Sequence, residues 1–330
     1  MHTPLVSVIM PVYNVERFVG EAICSVLDQS YRHFELIIVD DGGSDESVAI
    51  CKGFSDSRIR IVHQANRGLA GARNTGIDAS QGKYIALLDS DDRWDADKLL
   101  LHVIHLEANA SVDVSYSGSR MIDANGRPLS VAMRPRLMGI TPAHILQRNP
   151  VGNGSAPVLR MAALERAGFA HPDEPSRRCW FDESFRQSED IELWIRLAAG
   201  HGCRFEGIDG LLTDYRIVGG DLSANIPRQY DTWQRAIGKA LGYAPALIAR
   251  HGRAAAAFQL RYLARRAVQL GDAPFATSLL RQALALHPMM TLTEPAKTAQ
   301  TAAAALAARL LPRAAFAKLV SARLGTAAAA

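Results

Sequence analysis

The chain has 330 residues, is 48% hydrophobic and carries a formal net charge of +4. That is enough apolar content for one large folded domain with an appendage. No charge-free apolar run reaches transmembrane length, Met1 to Pro4 leads straight into a first strand without a leader pattern, and Cys24, Cys51, Cys179 and Cys203 lack zinc-like spacing. A cytoplasmic protein with reduced thiols is therefore expected, with no membrane span and no zinc module.

Four short apolar or β-branched runs occupy the first ninety residues: Leu5 to Met10 (LVSVIM), Glu35 to Val39 (ELIIV), Ile59 to His63 (IRIVH) and Tyr84 to Leu88 (YIALL). Between them Phe18, Ile23, Val26 and Leu27, then Val48, Ala49 and Phe54, recur at roughly helical intervals, and Gly68 to Ala79 is rich in helix formers. Alternating strands and helices predict an α/β fold with a parallel sheet wound by right-handed crossovers. Ligands of such sheets gather at the carboxyl ends of the strands.

Polar residues fall at those ends. Pro11-Val12-Tyr13-Asn14 follows the first run and Asp40-Asp41-Gly42-Gly43-Ser44-Asp45 the second. Tyr13 can offer a ring face to a nucleobase, and Asp41 can accept from a ring N–H of uracil or thymine or from ribose hydroxyls. Gly42 and Gly43 permit a tight turn, and Ser44 or Asp45 can cap the next helix. Taken singly, each is as readily ordinary packing or a turn. Asn66 to Ile77 (NRGLAGARNTGI) follows the third run. Arg67 and Arg73 either face phosphate through fixed guanidinium donors or are solvated surface residues. The segment is neither a P-loop nor a G-x-G-x-x-G fingerprint.

The fourth run ends in three carboxylates within four residues, Asp89-Ser90-Asp91-Asp92. Asp89 and Asp91 are two apart and project to one side of extended backbone, so their repulsion calls for a cation or hydrogen-bond donors. Mg2+ or Mn2+ bridging two phosphoryl oxygens would satisfy them and stabilise a departing nucleoside diphosphate. The alternative is a solvated turn in which Asp92 or Asp95 caps a helix over Asp95 to Asn109.

A second chemical element is Ser188 to Leu197 (SEDIELWIRL). Ile191, Trp194, Ile195 and Ala198 have amphipathic helical spacing, which sets Ser188 to Asp190 at the helix start. Acids there are favoured by the helix dipole. A carboxylate at that point is also suited to take the proton of an attacking hydroxyl.

The charge is uneven: from Ala246 onward eleven Arg or Lys face Asp272 and Glu294, a balance of +9 that leaves about −5 for the preceding part. Ala254 to Leu270 and Phe275 to Leu286 read as a helical hairpin resembling one tetratricopeptide-type unit. Thr298 to Leu324 reads as an Ala- and Leu-rich helix with Arg309, Arg313, Lys318 and Arg323, interrupted at Pro312. It is either a packed basic helix or one that lies on an anionic membrane surface. Few aromatics interleave with the basic residues and no recognition motif appears, so no nucleic acid partner is expected.

Five segments jointly resemble glycosyltransferase family 2 with the GT-A fold: VSVIMPVYN at Val6 to Asn14, LIIVDDGGSD at Leu36 to Asp45, NRGLAGARNTGI at Asn66 to Ile77, GKYIALLDSDDRW at Gly82 to Trp94, and SEDIELWIRL. They stand in family order over about the first 215 residues. The resemblance implies a Rossmann-like, mostly parallel sheet flanked by helices, with an α-helical C-terminal extension. The catalytic domain would occupy 1–228, with a nucleotide-binding half at 1–110 and an acceptor-binding half at 111–228, and the helical region 229–330.

It also implies an inverting transferase that uses a nucleoside diphosphate sugar, a UDP-sugar above all. Its acceptor would be a saccharide or lipid-linked chain in cell-surface polysaccharide synthesis at the inner face of the membrane. Pro11, Tyr13, Asn14, Asp41, Arg73 and Asp89 would bind the nucleotide-sugar. Asp89 and Asp91 would form the metal-binding D-x-D pair, with Asp92 as a further or alternative ligand for Mn2+ or Mg2+. Asp190 would be the base, with Glu189 and Trp194 on the acceptor side.

Three departures stand out. DDGGSD carries an extra Gly. Val218 stands where the family has a histidine, so either Asp221 serves as a substitute oxygen ligand, or the strand-end acids and the diphosphate hold the metal alone, or activity is reduced. His171 to Trp180 (HPDEPSRRCW) is an added loop that would shape acceptor selection. Two rival readings are a sugar-phosphate nucleotidylyltransferase, which lacks its glycine-rich basic loop after the first strand here, and a non-catalytic sugar-nucleotide-binding or scaffold protein.

Overall fold

A computed structural model describes residues 3–218, 225–312 and 315–316. Asp221, and Arg313, Lys318 and Arg323 of the basic tail, lie outside the described residues.

Four parallel strands form the first half of the main sheet: β1 (Val6–Val12), β2 (Phe34–Asp40), β3 (Ile59–His63) and β4 (Tyr84–Leu87). β1 lies between β2 and β4 and is buried at every position. A strand covered on both faces reads as a continuous apolar run rather than an alternating one, which is why β1, β2 and β4 were visible in the sequence; β3, at the sheet edge with Arg60 and His63 exposed, was visible from its β-branched residues. The crossovers are α1 (Val19–Leu27), α2 (Ser47–Lys52) and α3 (Gly68–Asp78). α1 buries Val19, Ala22, Ile23 and Val26, one stripe at helical spacing, in a core shared with Met10, Leu36 and Tyr84. α3 lies directly on β1 because Gly76 has no side chain: a Cβ there would sit 2.3 Å from Ile9.

The chain then adds β5 (Arg93–Trp94), α4 (Lys98–Ala108), β6 (Val114–Ile122), β7 (Pro128–Met133), α5 (Pro142–Gln147), β8 (Val158–Arg160) and α6 (Met161–Ala167). A two-stranded ribbon, β9 (Phe169–Ala170) with β10 (Arg178–Cys179), precedes α7 (Glu189–Ile195), a π-helical turn over Arg196–Gly200, and β11 (Phe205–Arg216). The main sheet runs β3-β2-β1-β4-β8-β6-β11-β5, with β7 on β6. Most paired residues lie in parallel ladders, and β8, β5 and β7 are the antiparallel exceptions. β1, β2 and β4 all end on one rim, as the alternation of strands and helices required.

Residues of 1–128, 132–141 and 150–217 form one compact unit, and those of 129–131, 142–149 and 218 onward a second. The second contains α5, α8 (Ile226–Tyr243), α9 (Pro245–Gln269), α10 (Ala273–Leu286), α11 (Met290–Thr293) and α12 (Pro295–Leu310). The expected hairpin is α9 with α10, although its first helix begins at Pro245 rather than Ala254. Asp272 caps α10 by accepting from the Phe275 N–H at 3.0 Å. Buried Arg261 donates to Thr298 Oγ1 at 2.6 Å and shares Glu294 with Arg148. α12 stops before Pro312, which lacks the N–H a further turn needs. No helix among the described residues is long and apolar enough to cross a membrane.

Candidate active site

The loops after β1 and β2 are laced together. Asn14, at φ 51°, accepts from the Ser44 N–H through Oδ1 at 2.8 Å. Ser47 Oγ accepts from Val15 N–H and Asp45 Oδ2 from Glu16 N–H, both at 2.9 Å. Asp45, rather than Ser44, serves the start of α2, with Oδ1 3.1 Å from Ser47 N. Tyr13 is half exposed on this rim, and Pro11 is buried within β1 opposite Val39. Asp41 is buried, and its carboxylate accepts from Gln64 Nε2 at 2.6 Å, Arg67 N–H at 2.8 Å and Gly68 N–H at 2.9 Å. It therefore satisfies the first free N–H groups of α3 and ties that helix to the end of β2.

Arg73 is not on the surface. One turn into α3 it is 1% exposed, with Nη2 2.7 Å from Asp89 Oδ1 and Nη1 2.8 Å from Glu189 Oε1. Its Nε is buried without a partner, and its Cζ lies 5.2 Å from the centre of the Phe181 ring. Gly154 makes room for the pair: a Cβ there would meet Arg73 Nη2 at 2.3 Å and Asp89 Oδ2 at 2.7 Å.

Ser188, at φ 59°, is the left-handed residue that opens α7, so Glu189 and Asp190 occupy its first turn as expected. Glu189 is buried and Asp190 half-buried, with Asp190 Oδ1 accepting from the Ile191 N–H at 2.8 Å. Burial pushes Glu189 up to about 7, against the pull of Arg73 and with a further push from Asp190. Burial raises Asp190 too, again opposed by Arg73. Trp194 is buried behind them, edge-on to Phe205 at 6.1 Å.

In the turn after β4 the three acids have different surroundings. Asp89 N–H donates to Ser155 Oγ at 3.0 Å, and that hydroxyl donates to Asp92 Oδ2 at 2.6 Å. Asp92 is buried, and its Oδ1 accepts from the Arg216 N–H at 2.8 Å. Burial, then the charges of Asp91 and Asp89, hold its carboxyl well above the usual carboxylate range. Arg216, itself buried at the end of β11, donates through Nε to the Asp91 carbonyl at 2.7 Å and through Nη2 to Glu21 at 2.8 Å. Asp91 is half-buried.

No cluster of three or more His, Cys, Asp or Glu among the described residues is arranged to hold a metal by itself. The available donors are carboxylate oxygens of Asp89 and Asp91. Such a set fits a hard cation like Mg2+ or Mn2+ whose remaining ligands come from substrate phosphates and water. Val218 is half-buried and brings no ligating atom.

Sequence reasoning missed Gly154, Ser155 and Arg216. The first two lie in Gly152-Asn153-Gly154-Ser155, whose turn composition was a signal but whose acid partners lie more than sixty residues away. Asn74, also missed, holds the added loop against α3: its Oδ1 accepts from Trp180 and Phe181 N–H at 2.9 and 2.8 Å, and its Nδ2 donates to Phe181 O at 2.8 Å. The loop is therefore an anchored ribbon, further fixed where Arg177 pairs with Glu183.

A family model described as "Glycosyl transferase family 2" matches residues 7–166. An uncharacterized glycosyltransferase of Rickettsia felis is 35% identical over 233 residues, 70% of this chain and 36% of that protein. The chain spans about a third of the length of the curated relatives it matches first. The UDP-Glc:alpha-D-GlcNAc-diphosphoundecaprenol beta-1,3-glucosyltransferase WfgD of Escherichia coli is 30% identical over 234 residues, 69% of this chain and 84% of WfgD. Among solved structures, the mannosyltransferase PcManGT from Pyrobaculum calidifontis, in complex with GDP-Man and Mn2+, aligns with a TM-score of 0.55 at 19% identity over 94% of this chain and 87% of its own. That likeness is one of fold.

Proposed function

The chain belongs to glycosyltransferase family 2 and has the GT-A fold, and on that premise we propose that it transfers a sugar, with inversion, from a nucleoside diphosphate sugar to a hydroxyl group. The donor is a UDP-sugar and the acceptor a saccharide or lipid-linked chain of a cell-surface polysaccharide. The UDP-Glc donor and diphosphoundecaprenol acceptor in the name of the Escherichia coli relative support both choices. The observation that carries the reading is the bridge through Arg73, which joins the acidic turn after β4 to the acidic start of α7. Those are the two groups of acids that departure of a diphosphate and attack by a hydroxyl require.

In this reading Pro11, Tyr13, Asn14 and Asp41 at the ends of β1 and β2 receive the nucleoside. Asp89 and Asp91 receive the ribose and diphosphate. Mn2+ or Mg2+, held by Asp91 and Asp89 together with the diphosphate, supplies Lewis-acid neutralisation of the departing charge. Asp92 supports the turn through Ser155 and Arg216, and its remaining lone pairs leave it a further or alternative ligand. Asp190 takes the proton of the acceptor hydroxyl as it attacks the anomeric carbon from the face opposite the diphosphate. Glu189 orients that carboxylate, and Trp194 backs it. The basic tail over 298–324 rests on an anionic membrane surface, a role supported by exposed Leu306 and Leu310 beside Arg309 on α12.

The test is incubation with a panel of UDP-, GDP- and dTDP-sugars plus Mn2+, with release of free sugar as the readout. Turnover of a UDP-sugar is expected. Binding of UDP and metal with no turnover of any donor would replace this reading with that of a non-catalytic sugar-nucleotide-binding protein.

A further inference from the structure

Arg73 is among the largest side chains sealed from solvent, and the two acids it grips come from distant parts of the chain. Asp89 leaves β4 sixteen residues on, and Glu189 opens α7 a further hundred residues away. A guanidinium is planar and rigid, so a fork with one nitrogen on each acid fixes the two carboxylates relative to each other. Gly154 packs against Nη2 and Phe181 lies beside Cζ, which leaves the fork no room to swing. Locally the Glu189 carboxylate is met by its own backbone N–H, a contact that does not tie it to any other element. α7 is only seven residues long, runs into a π-helical turn, and opens on a left-handed serine whose side chain makes no cap hydrogen bond. Arg73 is also 1% exposed, so its guanidinium is turned to these acids rather than to solvent.

We propose that Arg73 is a positioning residue: it transmits the placement of the donor-side acid Asp89 to Glu189, and through the adjoining backbone to Asp190, so that the acceptor-side carboxylate is aimed only while the donor-side turn is in place. This rests on the glycosyl-transfer reading above and adds to it a residue that touches neither the reacting hydroxyl nor the diphosphate.

The test compares the wild type, Arg73→Lys, Glu189→Gln and the double variant with UDP-glucose and Mn2+, water serving as the acceptor. Lysine keeps the charge but reaches one acid at a time. Arg73→Lys is expected to lower kcat for UDP-glucose hydrolysis by roughly a hundredfold, the scale of a displaced catalytic group. The KM for UDP-glucose and the Kd for UDP should change by no more than about twofold, since nothing is removed from the donor. Glu189→Gln should lower kcat similarly, and the double variant no further than the worse single one, because both changes break one link.

A raised KM and Kd with kcat unchanged would make Arg73 a direct phosphate contact and overturn the proposal, as would full additivity of the two changes. Should Arg73→Lys fail to fold, Arg73→Gln, which cannot bridge the two acids, takes its place: kcat lost with UDP affinity kept supports the link, and kcat kept rejects it. A wild type that turns over no sugar nucleotide defeats the transfer reading and this inference with it. An active wild type matched by both single variants defeats the inference alone.

Discussion

Ser155 Oγ donates to Asp92 Oδ2 at 2.6 Å while accepting from the Asp89 N–H at 3.0 Å, so one buried hydroxyl clasps both ends of the acidic turn. Asp91, between them, keeps its carboxylate half-exposed. Replacing Ser155 by Ala leaves a buried carboxyl oxygen and a backbone N–H without that partner, a loss of about 1–3 kcal/mol for such groups. Ser155→Ala is therefore expected to lower the urea midpoint clearly, whereas Asp91→Ala should leave the midpoint nearly unchanged and abolish the Mn2+ dependence of UDP binding. Paired denaturation and UDP titrations check this. Mn2+-dependent binding that survives Asp91→Ala would refute the division of labour.

Asp190→Asn should bind UDP with nearly wild-type affinity and lose about 10²- to 10⁴-fold in turnover, because only the proton acceptor is removed. The pH profile has a definite sign. Burial raises both carboxyls at the start of α7, Glu189 to about 7, and a base works only when deprotonated. Activity should thus fall as pH drops through values above the ordinary carboxylate range, the two groups titrating as a pair. An acidic limb of kcat/KM that lies below pH 4 would contradict it.

Gly154 is a tight spot in the site. A methyl group there must displace Arg73 Nη2 or Asp89 Oδ2, and overpacking of this kind typically costs about 1–3 kcal/mol. Gly154→Ala is expected to remain folded at 25 °C, with a lowered melting temperature and turnover reduced at least tenfold. Turnover within a factor of two of wild type would show that the guanidinium yields freely.

Lys98 is fully buried, with Nζ donating to the Ala156 carbonyl at 2.7 Å, lying 3.4 Å from His102 Nε2 and over the Trp94 ring. Burial pulls its pKa down to about 7. The unfolded lysine keeps its proton up to about pH 10.4, so between these values the unfolded chain binds more protons and stability rises with pH. The contribution is full above the unfolded value and is lost as pH falls through about 7. The urea midpoint should therefore rise from pH 7 to pH 9, and Lys98→Met should flatten the rise. Equal slopes in the two proteins would place Lys98 in contact with water.

β1, β2 and β4 were legible because parallel strands covered on both sides are apolar nearly throughout, and the edge strand β3 because Ile59, Ile61 and Val62 are β-branched. β6 was not. Ser115, Ser117 and Ser119 are buried in it, and two of them are satisfied from elsewhere: His102 and His105 contact Ser115 Oγ at 2.7 and 2.8 Å, and Asn153 donates to Ser119 Oγ at 2.8 Å. Its serines recur at the two-residue spacing of a strand, but all three are buried, so the alternation marks no exposed face and reads as a loop-like Ser/Gly stretch. β11 is further obscured by register shifts between Gly207, Leu211 and Thr213. The acids of the site were visible as motifs, but the burial of Arg73 between two of them was not, because neither partner is near it in sequence. Pairing, unlike periodicity, is not written in any one segment.

α5 departs from the sheet unit at residue 142 and the chain returns at 150, after Ile145 and Leu146 have been buried among the C-terminal helices with α9 as chief neighbour. Cutting the chain after β11 would thus strand a greasy loop in the middle of the catalytic half, with its partners gone. The helical body is therefore discontinuous in sequence, and a simple C-terminal truncation cannot remove it whole.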